Sequence, residues 1–291
     1  MKTTTKLREL IKSKELIVAP GAFSPLCAKM IQKVGFNCVY MSGYGVAAYR
    51  LGVPDVGLMT MNESLDTARA IAQACDLPVI ADVDNGYGNV INVKRTVEEY
   101  ELAGVAGIQL EDQSWPKRCG HMEGKVLISA EEMVQKIRIA VASRKDPDFV
   151  IVARTDANTV LGFDEAIRRS NLYAEAGADI IFFESPTSDE QVEKIPDLVH
   201  APVMLNMSEG AKTPLRNNAE IRSLGYKLVI WPSSATWAAA RAIQEIYQIL
   251  KDKGTTGEDL EKLILFHEFN DLIGLPEVMR LSDEYKTGTT Y

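Results

Sequence analysis

The sequence predicts a single (β/α)8 barrel over residues 1–291, on three observations: eight short β-branched or apolar runs, helical apolar spacing between them, and turn signals where the helices should stop. The runs are Leu16–Val18, Cys38–Met41, Val79–Val83, Ile108–Leu110, Val150–Ala153, Ile180–Phe183, Val203–Leu205 and Leu228–Trp231. Their starts fall about 22 to 42 residues apart, the length of a strand-and-helix unit. Helical spacing covers Leu65–Ala74, Val93–Leu102, Met133–Val141, Ala166–Ala176 and Trp237–Leu250. Gly104 and Gly177 each stand just ahead of a strand, where a helix C-cap belongs. A doubly wound sheet of eight strands would leave two edges to protect, whereas a closed cylinder leaves none. Beyond the eighth run, Glu258–Leu272 and Leu275–Tyr285 are expected helices of an extension that begins at about residue 254. Its segment Leu263–Phe269 is too apolar to stand free, and suits packing on a neighbouring subunit or on its own barrel.

Composition narrows the function. With 32 basic and 40 acidic side chains the net charge is −8, a field that repels nucleic acid and acidic membrane surfaces. No run of 18 apolar residues is present, and Met1–Glu15 is polar where a signal peptide needs an apolar core, so a cytoplasmic protein is expected. The four cysteines form no C-x-x-C pair, which argues against a disulfide framework or structural zinc.

In a parallel barrel, chemistry gathers at the C-terminal strand ends. Those ends read Tyr40-Met41-Ser42-Gly43-Tyr44, Asp82-Val83-Asp84, Glu111-Asp112, Arg154-Thr155-Asp156, Glu184, Asn206 and Ser233-Ser234. Crowded carboxylates repel one another unless they share a cation or a proton. Oxygen ligands with few imidazoles suit magnesium, or manganese, rather than zinc. His121, His200 and His267 all lie away from the expected strand ends. A Schiff-base lysine is disfavoured too, because Lys227 opens the eighth strand at the opposite rim. Asp82 and Asp84 share a face only while the strand stays extended, so one carboxylate can bind the metal directly and the other through water. Gly43-Tyr44-Gly45-Val46-Ala47-Ala48 imitates a dinucleotide fingerprint, but the next strand begins 36 residues on, too far for the ribose-binding acid. Glycines that admit a substrate to the backbone explain it better. The long polar stretch Asp112–Lys125 has the composition of a lid. Within it Cys119 stands between Arg118 and Gly120-His121, a setting expected to lower the thiol pKa and to make Cys119 a catalytic acid or base.

Together Tyr40–Gly43, Pro54-Asp55, Ala81–Gly88, Leu110–Gln113, Lys117–His121, Ala153–Asp156, Phe183-Glu184 and Asn206 resemble the isocitrate lyase/phosphoenolpyruvate mutase superfamily over nearly the whole chain. The resemblance implies a barrel whose terminal helix is exchanged between subunits of a homotetramer. It implies Mg2+ held at Asp82 and Asp84 with support from Glu111, and a substrate surrounded by Ser42, Gly43, Tyr44, Gly120, Arg154, Glu184 and Asn206, with Asp55 supporting the site. Lys117-Arg118-Cys119-Gly120-His121 is similar to the lyase branch, which places Lys117, Cys119 and His121 among the catalytic residues. Branches that move phosphorus without this cysteine fit less well, although carboxyphosphonoenolpyruvate mutase-like enzymes retain it.

Methylisocitrate lyases, as the resemblance has it, meet a third carboxylate with an arginine just past strand eight; here Trp231–Trp237 puts tryptophan at that place. Leaving a buried carboxylate unpaired costs on the order of several kcal/mol, so a dicarboxylate is favoured. Asn206–Pro214 and Phe269–Leu275 are most similar to the branch of 2,3-dimethylmalate lyases and petal death protein-like lyases. The expected reaction is magnesium-dependent cleavage of an alkyl-substituted malate into a 2-oxo acid and a carboxylate, with Cys119 as proton donor, Arg154 stabilising charge, and either Tyr40 or a metal-linked water acting with Glu184 as base. Methylisocitrate cleavage and oxaloacetate hydrolysis remain the alternatives.

Overall fold

The computed structural model describes residues 1–286. The chain divides into two compact units, Met1–Thr236 and the segment from Trp237 onward. In the first, β1 (Ile17–Ala22), β2 (Val39–Met41), β3 (Val79–Asp82), β4 (Gly107–Glu111), β5 (Val150–Thr155), β6 (Ile180–Phe183), β7 (Val203–Asn206) and β8 (Leu228–Trp231) form a closed parallel barrel in chain order. β8 returns to β1 in the register Ile17↔Leu228 through Pro20↔Trp231, which completes the cylinder. All eight expected runs are strands. The expected helix caps are present as well: Gly104 and Gly177 adopt φ of 91° and 105°, the left-handed conformation that glycine takes at no steric cost.

Side chains alternate across each strand, and the alternation sorts the core in two. Ile17, Ala19, Cys38, Tyr40, Ile80, Val150, Val152, Ile180, Phe182, Met204, Leu228 and Ile230 pack together inside the cylinder, with Leu7 of the helix Thr3–Lys12 closing the N-terminal end. Their neighbours Val39, Met41, Val79, Ala81, Ile108, Leu110, Ile151, Ala153, Ile181, Phe183 and Val229 belong to a second cluster with side chains of the surrounding helices, such as Ile71, Val97, Ile137 and Tyr173. The glycine-rich stretch after β2 forms a short helix, Gly43–Val46, and a π-helical turn, Ala47–Leu51.

The second unit holds most of the long helix Ser234–Lys253, a 3-10 turn Leu260–Lys262, and helices Phe266–Ile273 and Leu275–Glu284. The single helix expected over Glu258–Leu272 is therefore broken: backbone at Leu263 and Leu265 is extended. The run Leu263-Ile264-Leu265-Phe266 has no polar side, so it lacks the amphipathic spacing that holds a surface helix together. Among the described residues no helix is long and apolar enough to cross a membrane.

Gly21 lies where β1 passes the chain leaving β8, and a β-carbon there would overlap the Pro232 carbonyl group. Backbone on both sides leaves no soft neighbour to yield. Gly21→Ala is expected to cost about 2–3 kcal/mol of unfolding free energy, read as a lower urea midpoint at unchanged slope; a loss under about 0.5 kcal/mol contradicts this closure.

Candidate active site

The inward set of each strand continues past its apolar residues into charge. Tyr40 is followed by Ser42, Ile80 by Asp82, Gln109 by Glu111, Val152 by Arg154 and Asp156, Phe182 by Glu184, and Met204 by Asn206; all of these polar residues are buried. Period-two geometry thus gathers them at one end of the barrel axis. Asp112 and Thr155 fall on the other parity and face the helices. Asp112 accepts hydrogen bonds from Thr155 Oγ1 (2.7 Å), Tyr173 Oη (2.8 Å), the Asp156 amide (2.9 Å) and Arg169 (3.1 Å). The expectation that Asp112 joins the mouth is corrected on that ground: it braces the strand end from behind.

Six buried carboxylates, Asp55, Asp82, Asp84, Glu111, Asp156 and Glu184, share this end with three buried cations, Lys117, Lys125 and Arg154. Arg154 grips Asp156 with Nε and Nη2, each at 2.9 Å, while Glu111 and Glu184 stand 3.4 and 3.6 Å from its guanidinium. Burial pushes the Asp156 carboxyl up, but Arg154 and Lys125 outweigh it and hold the group at about 2. Glu184 is likewise raised by burial and, on balance, lowered by Arg154 and His121. Its Oε1 accepts from Ser185 Oγ at 2.6 Å. Lys117 bridges Asp55 (2.6 Å) and Asp84 (2.7 Å). Asp84 follows the end of β3 at φ 50°, so strict extension is lost, yet the Asp84 amide still donates to Asp82 Oδ1 at 3.0 Å. Burial raises Asp82, Asp84 and Glu111, Asp84 to about 7, against the pull of Lys117 and Arg154.

These groups fit a divalent cation. Neither Glu111 oxygen has a hydrogen-bond donor, and Asp84 Oδ1 has only the Lys117 ion pair. A dry site holding more negative than positive charge is stabilised by a cation. Among the described residues no three acidic, histidine or cysteine side chains form a ready cage. An ion at Asp82, Asp84 and Glu111 would draw further oxygens from water and substrate, as magnesium commonly does.

The lid loop is pinned over this end. Gln113 clasps Arg118 by its amide and carbonyl, at 2.9 and 2.8 Å, and the Cys119 amide donates to the Asp55 carbonyl at 3.2 Å. Gly120 lies so close beneath that a β-carbon would stand 2.5 Å from Arg154 Nη2 and 2.7 Å from Glu184 Cδ. His121 Nδ1 is 3.2 Å from Ser185 Oγ and its Nε2 3.4 Å from Asn206 Nδ2. The expected lowering of the Cys119 pKa is overturned: burial, reinforced by Asp55, pushes the thiol up to about 11, beyond what the backbone, Arg154 and Lys117 offset. Arg118, its sequence neighbour, turns outward and donates to the Glu123 carbonyl.

On the opposite wall Ser42 Oγ caps the Gly43–Val46 helix by accepting from Gly45 (3.3 Å), and a β-carbon on Gly43 would stand 2.8 Å from Asp82 Oδ2. Half-buried Tyr44 follows on the same helix. Tyr40 Oη donates to Gln109 Oε1 at 2.5 Å, and burial, with Asp82, raises its phenol well above the ordinary range. Every residue singled out for the site therefore lies at or beside this end of the barrel. Sequence reasoning missed Gln109, Lys125 and Ser185, and named Asp156 at its strand end without giving it a role; strand parity marks Gln109 and Asp156, whereas Lys125 and Ser185 carry no local signal.

A family model described as phosphoenolpyruvate phosphomutase matches residues 7–251. The chain is 50% identical to 2,3-dimethylmalate lyase of Eubacterium barkeri over 288 residues, 99% of this chain and all of that one. It is 46% identical to 2-methylisocitrate lyase of Aeropyrum pernix over 92% of this chain and 86% of that one. Among solved structures, oxaloacetate acetylhydrolase with 3,3-difluorooxalacetate superposes with a TM-score of 0.92 at 37% identity, covering 97% of each chain. Phosphonopyruvate hydrolase with oxalate and Mg2+ superposes with a TM-score of 0.89 at 33% identity, covering 98% of this chain and 99% of that one. The chain, with its closed barrel and its charged mouth under a cysteine-bearing loop, belongs to the isocitrate lyase/phosphoenolpyruvate mutase superfamily of enzymes.

Proposed function

We propose that the protein is a magnesium-dependent carbon–carbon lyase that cleaves 2,3-dimethylmalate or a close alkyl-substituted malate into a 2-oxo acid and a carboxylate. The observation that carries this reading is the seat of Gly120 against Arg154 and Glu184, which holds the Cys119 loop directly over the charged mouth. Whole-length identity to a 2,3-dimethylmalate lyase supports the choice of substrate. Tryptophan at position 237, in place of an arginine for a third carboxylate, speaks against methylisocitrate.

Asp82, Asp84 and Glu111 would hold the metal, which when bound supplies Lewis-acid polarisation of the substrate's 2-hydroxyl and 1-carboxylate. Breaking the C2–C3 bond converts the hydroxyl-bearing carbon to a ketone and leaves the electron pair on C3, delocalised into its carboxylate. Arg154, oriented by Asp156, stabilises that charge. The Cys119 thiol, kept protonated by burial, delivers a proton to C3. Of the two bases considered, Glu184 is favoured: Arg154 and His121 keep it ionised, whereas the Tyr40 phenol stays protonated and donates to Gln109. For 2,3-dimethylmalate the hydroxyl proton leaves through a water at Glu184, and the products are pyruvate and propanoate.

Lys117 ties the loop to Asp55 and Asp84, and His121 is held by Ser185 and Asn206. The same reading includes a homotetramer with exchanged C-terminal helices. Its support is the exposed Ile264, Leu265, Phe266, Phe269, Ile273, Val278 and Met279 of the second unit, an apolar display unusual for a free surface.

Three tests follow from the site. On a panel of 2-methylmalate, 2,3-dimethylmalate, 2-methylisocitrate, oxaloacetate, phosphonopyruvate and a carboxyphosphonoenolpyruvate, the highest kcat/KM is expected with 2,3-dimethylmalate; dominant release of acetate and oxalate from oxaloacetate, or a faster reaction of 2-methylisocitrate, overturns the substrate assignment. Chelation with EDTA should abolish turnover and added Mg2+ or Mn2+ should restore it, with undiminished activity in EDTA contradicting the metal. Cys119→Ser should lower kcat by about 10^2–10^4-fold while metal-dependent binding of oxalate persists, and full activity in that variant removes Cys119 as the proton donor.

A further inference from the structure

The loop that carries Cys119 leaves β4 and returns to it through a short antiparallel clasp, with Gln113 bridged to Leu127, the Ser114 amide donating to the Val126 carbonyl at 2.8 Å, and the Ile128 amide to the Asp112 carbonyl at 3.0 Å. Lys125 sits on the returning limb. Unlike Arg118 and Glu123 on the same loop, it is buried, and its ammonium points down into the barrel rather than out to water. There it donates to two acceptors: the Gly120 carbonyl, one residue past Cys119, and Asp156 Oδ1 at 3.0 Å. That same oxygen receives Arg154 Nη2 at 2.9 Å, and the Asp156 backbone is in turn anchored by Asp112.

We propose that Lys125 is a positioning residue, a latch that joins the loop backbone beside Cys119 to the carboxylate that orients Arg154. Proton donor and charge stabiliser come from different elements, one on a loop and one on β5, and one ammonium spans the two. Chain connectivity does not supply that link: Gly120 and Asp156 are 36 residues apart. Lys117 holds a separate point of the loop, to Asp55 and Asp84, and Ser185 Oγ reaches the Gly120 carbonyl only at 3.4 Å, so losing Lys125 removes the charged tether of the Gly120 side and loosens it while the Lys117 tether remains. A lysine present only to neutralise buried charge would need no contact with a loop carbonyl. The inference rests on the lyase reading for its catalytic consequence but not for its structural one.

The test uses the full-length protein and limited trypsinolysis, with the cut after exposed Arg118 quantified by mass spectrometry. A closed loop resists cleavage, and the rate reports the opened population. Lys125→Met is expected to raise cleavage after Arg118 by about tenfold or more while cuts elsewhere and the melting temperature change little. It should also depress kcat far more than it raises KM, because Arg154 remains present but loses its registry with the loop. If Met costs the fold, Lys125→Gln, which is too short to span both acceptors, is read the same way, and Lys125→Arg should recover part of the protection. Cleavage after Arg118 that stays within about twofold of the parent in a folded variant overturns the latch. Should the parent turn over none of the malates, the proteolysis result still decides the latch by itself, so the two readings fail separately.

Discussion

Everything at the C-terminal end of this barrel depends on an excess of buried negative charge held in a fixed geometry. Six carboxylates and three cations share a region that water barely reaches. In such surroundings a charge without a partner costs several kcal/mol, so each group is committed to a neighbour, a proton or an ion. The commitments have direction. Asp156 is spent on Arg154 and Lys125, and Asp55 on Lys117. Asp82, Asp84 and Glu111 are left under-compensated: burial pushes all three carboxyls up, and neither Glu111 oxygen has a hydrogen-bond donor. Residual charge gathered at one place is what a divalent ion recognises.

Two glycines define how closely the parts approach. At Gly43 a side chain would press on Asp82, and at Gly120 it would press on Arg154 and Glu184. At these two points the short helix after β2 and the loop after β4 meet the charged floor through backbone, while Lys117 and Lys125 of the loop reach it with their side chains. Substrate oxygens bound there would find amides and ions at short range with little intervening bulk. That closeness fits a thiol, one residue from Gly120, whose pKa is raised rather than lowered by burial and by Asp55.

Much of this was legible in the residues alone. Eight strands, the caps at Gly104 and Gly177 and the polar strand ends follow from patterns of period 2 and 3.6, which local sequence states directly. The cast of the site was legible because a parallel barrel brings strand ends together whatever its loops do. Orientation was harder. Asp112 lies next to Glu111 in sequence but on the opposite face, and treating the pair as one acidic cluster hides the alternation that separates them. Arg118 next to Cys119 suggested a cationic setting, yet its side chain turns away while the more distant Asp55 comes close. Lys125 was not singled out because its partners, Gly120 and Asp156, meet it only through tertiary structure. The helix boundaries past Gly257 were blurred by a run of apolar residues that carries no period.

Under-compensated carboxylates at the ends of β3 and β4 are proposed to hold one divalent ion, and titrating the protein with Mn2+ while counting bound ions by electron paramagnetic resonance tests this most directly. One ion per chain is expected in the parent and in Cys119→Ser, with binding weakened by about tenfold or more in Asp82→Asn and Asp84→Asn. Equal Mn2+ binding by parent and both asparagine variants would place the ion, and the chemistry built on it, somewhere else.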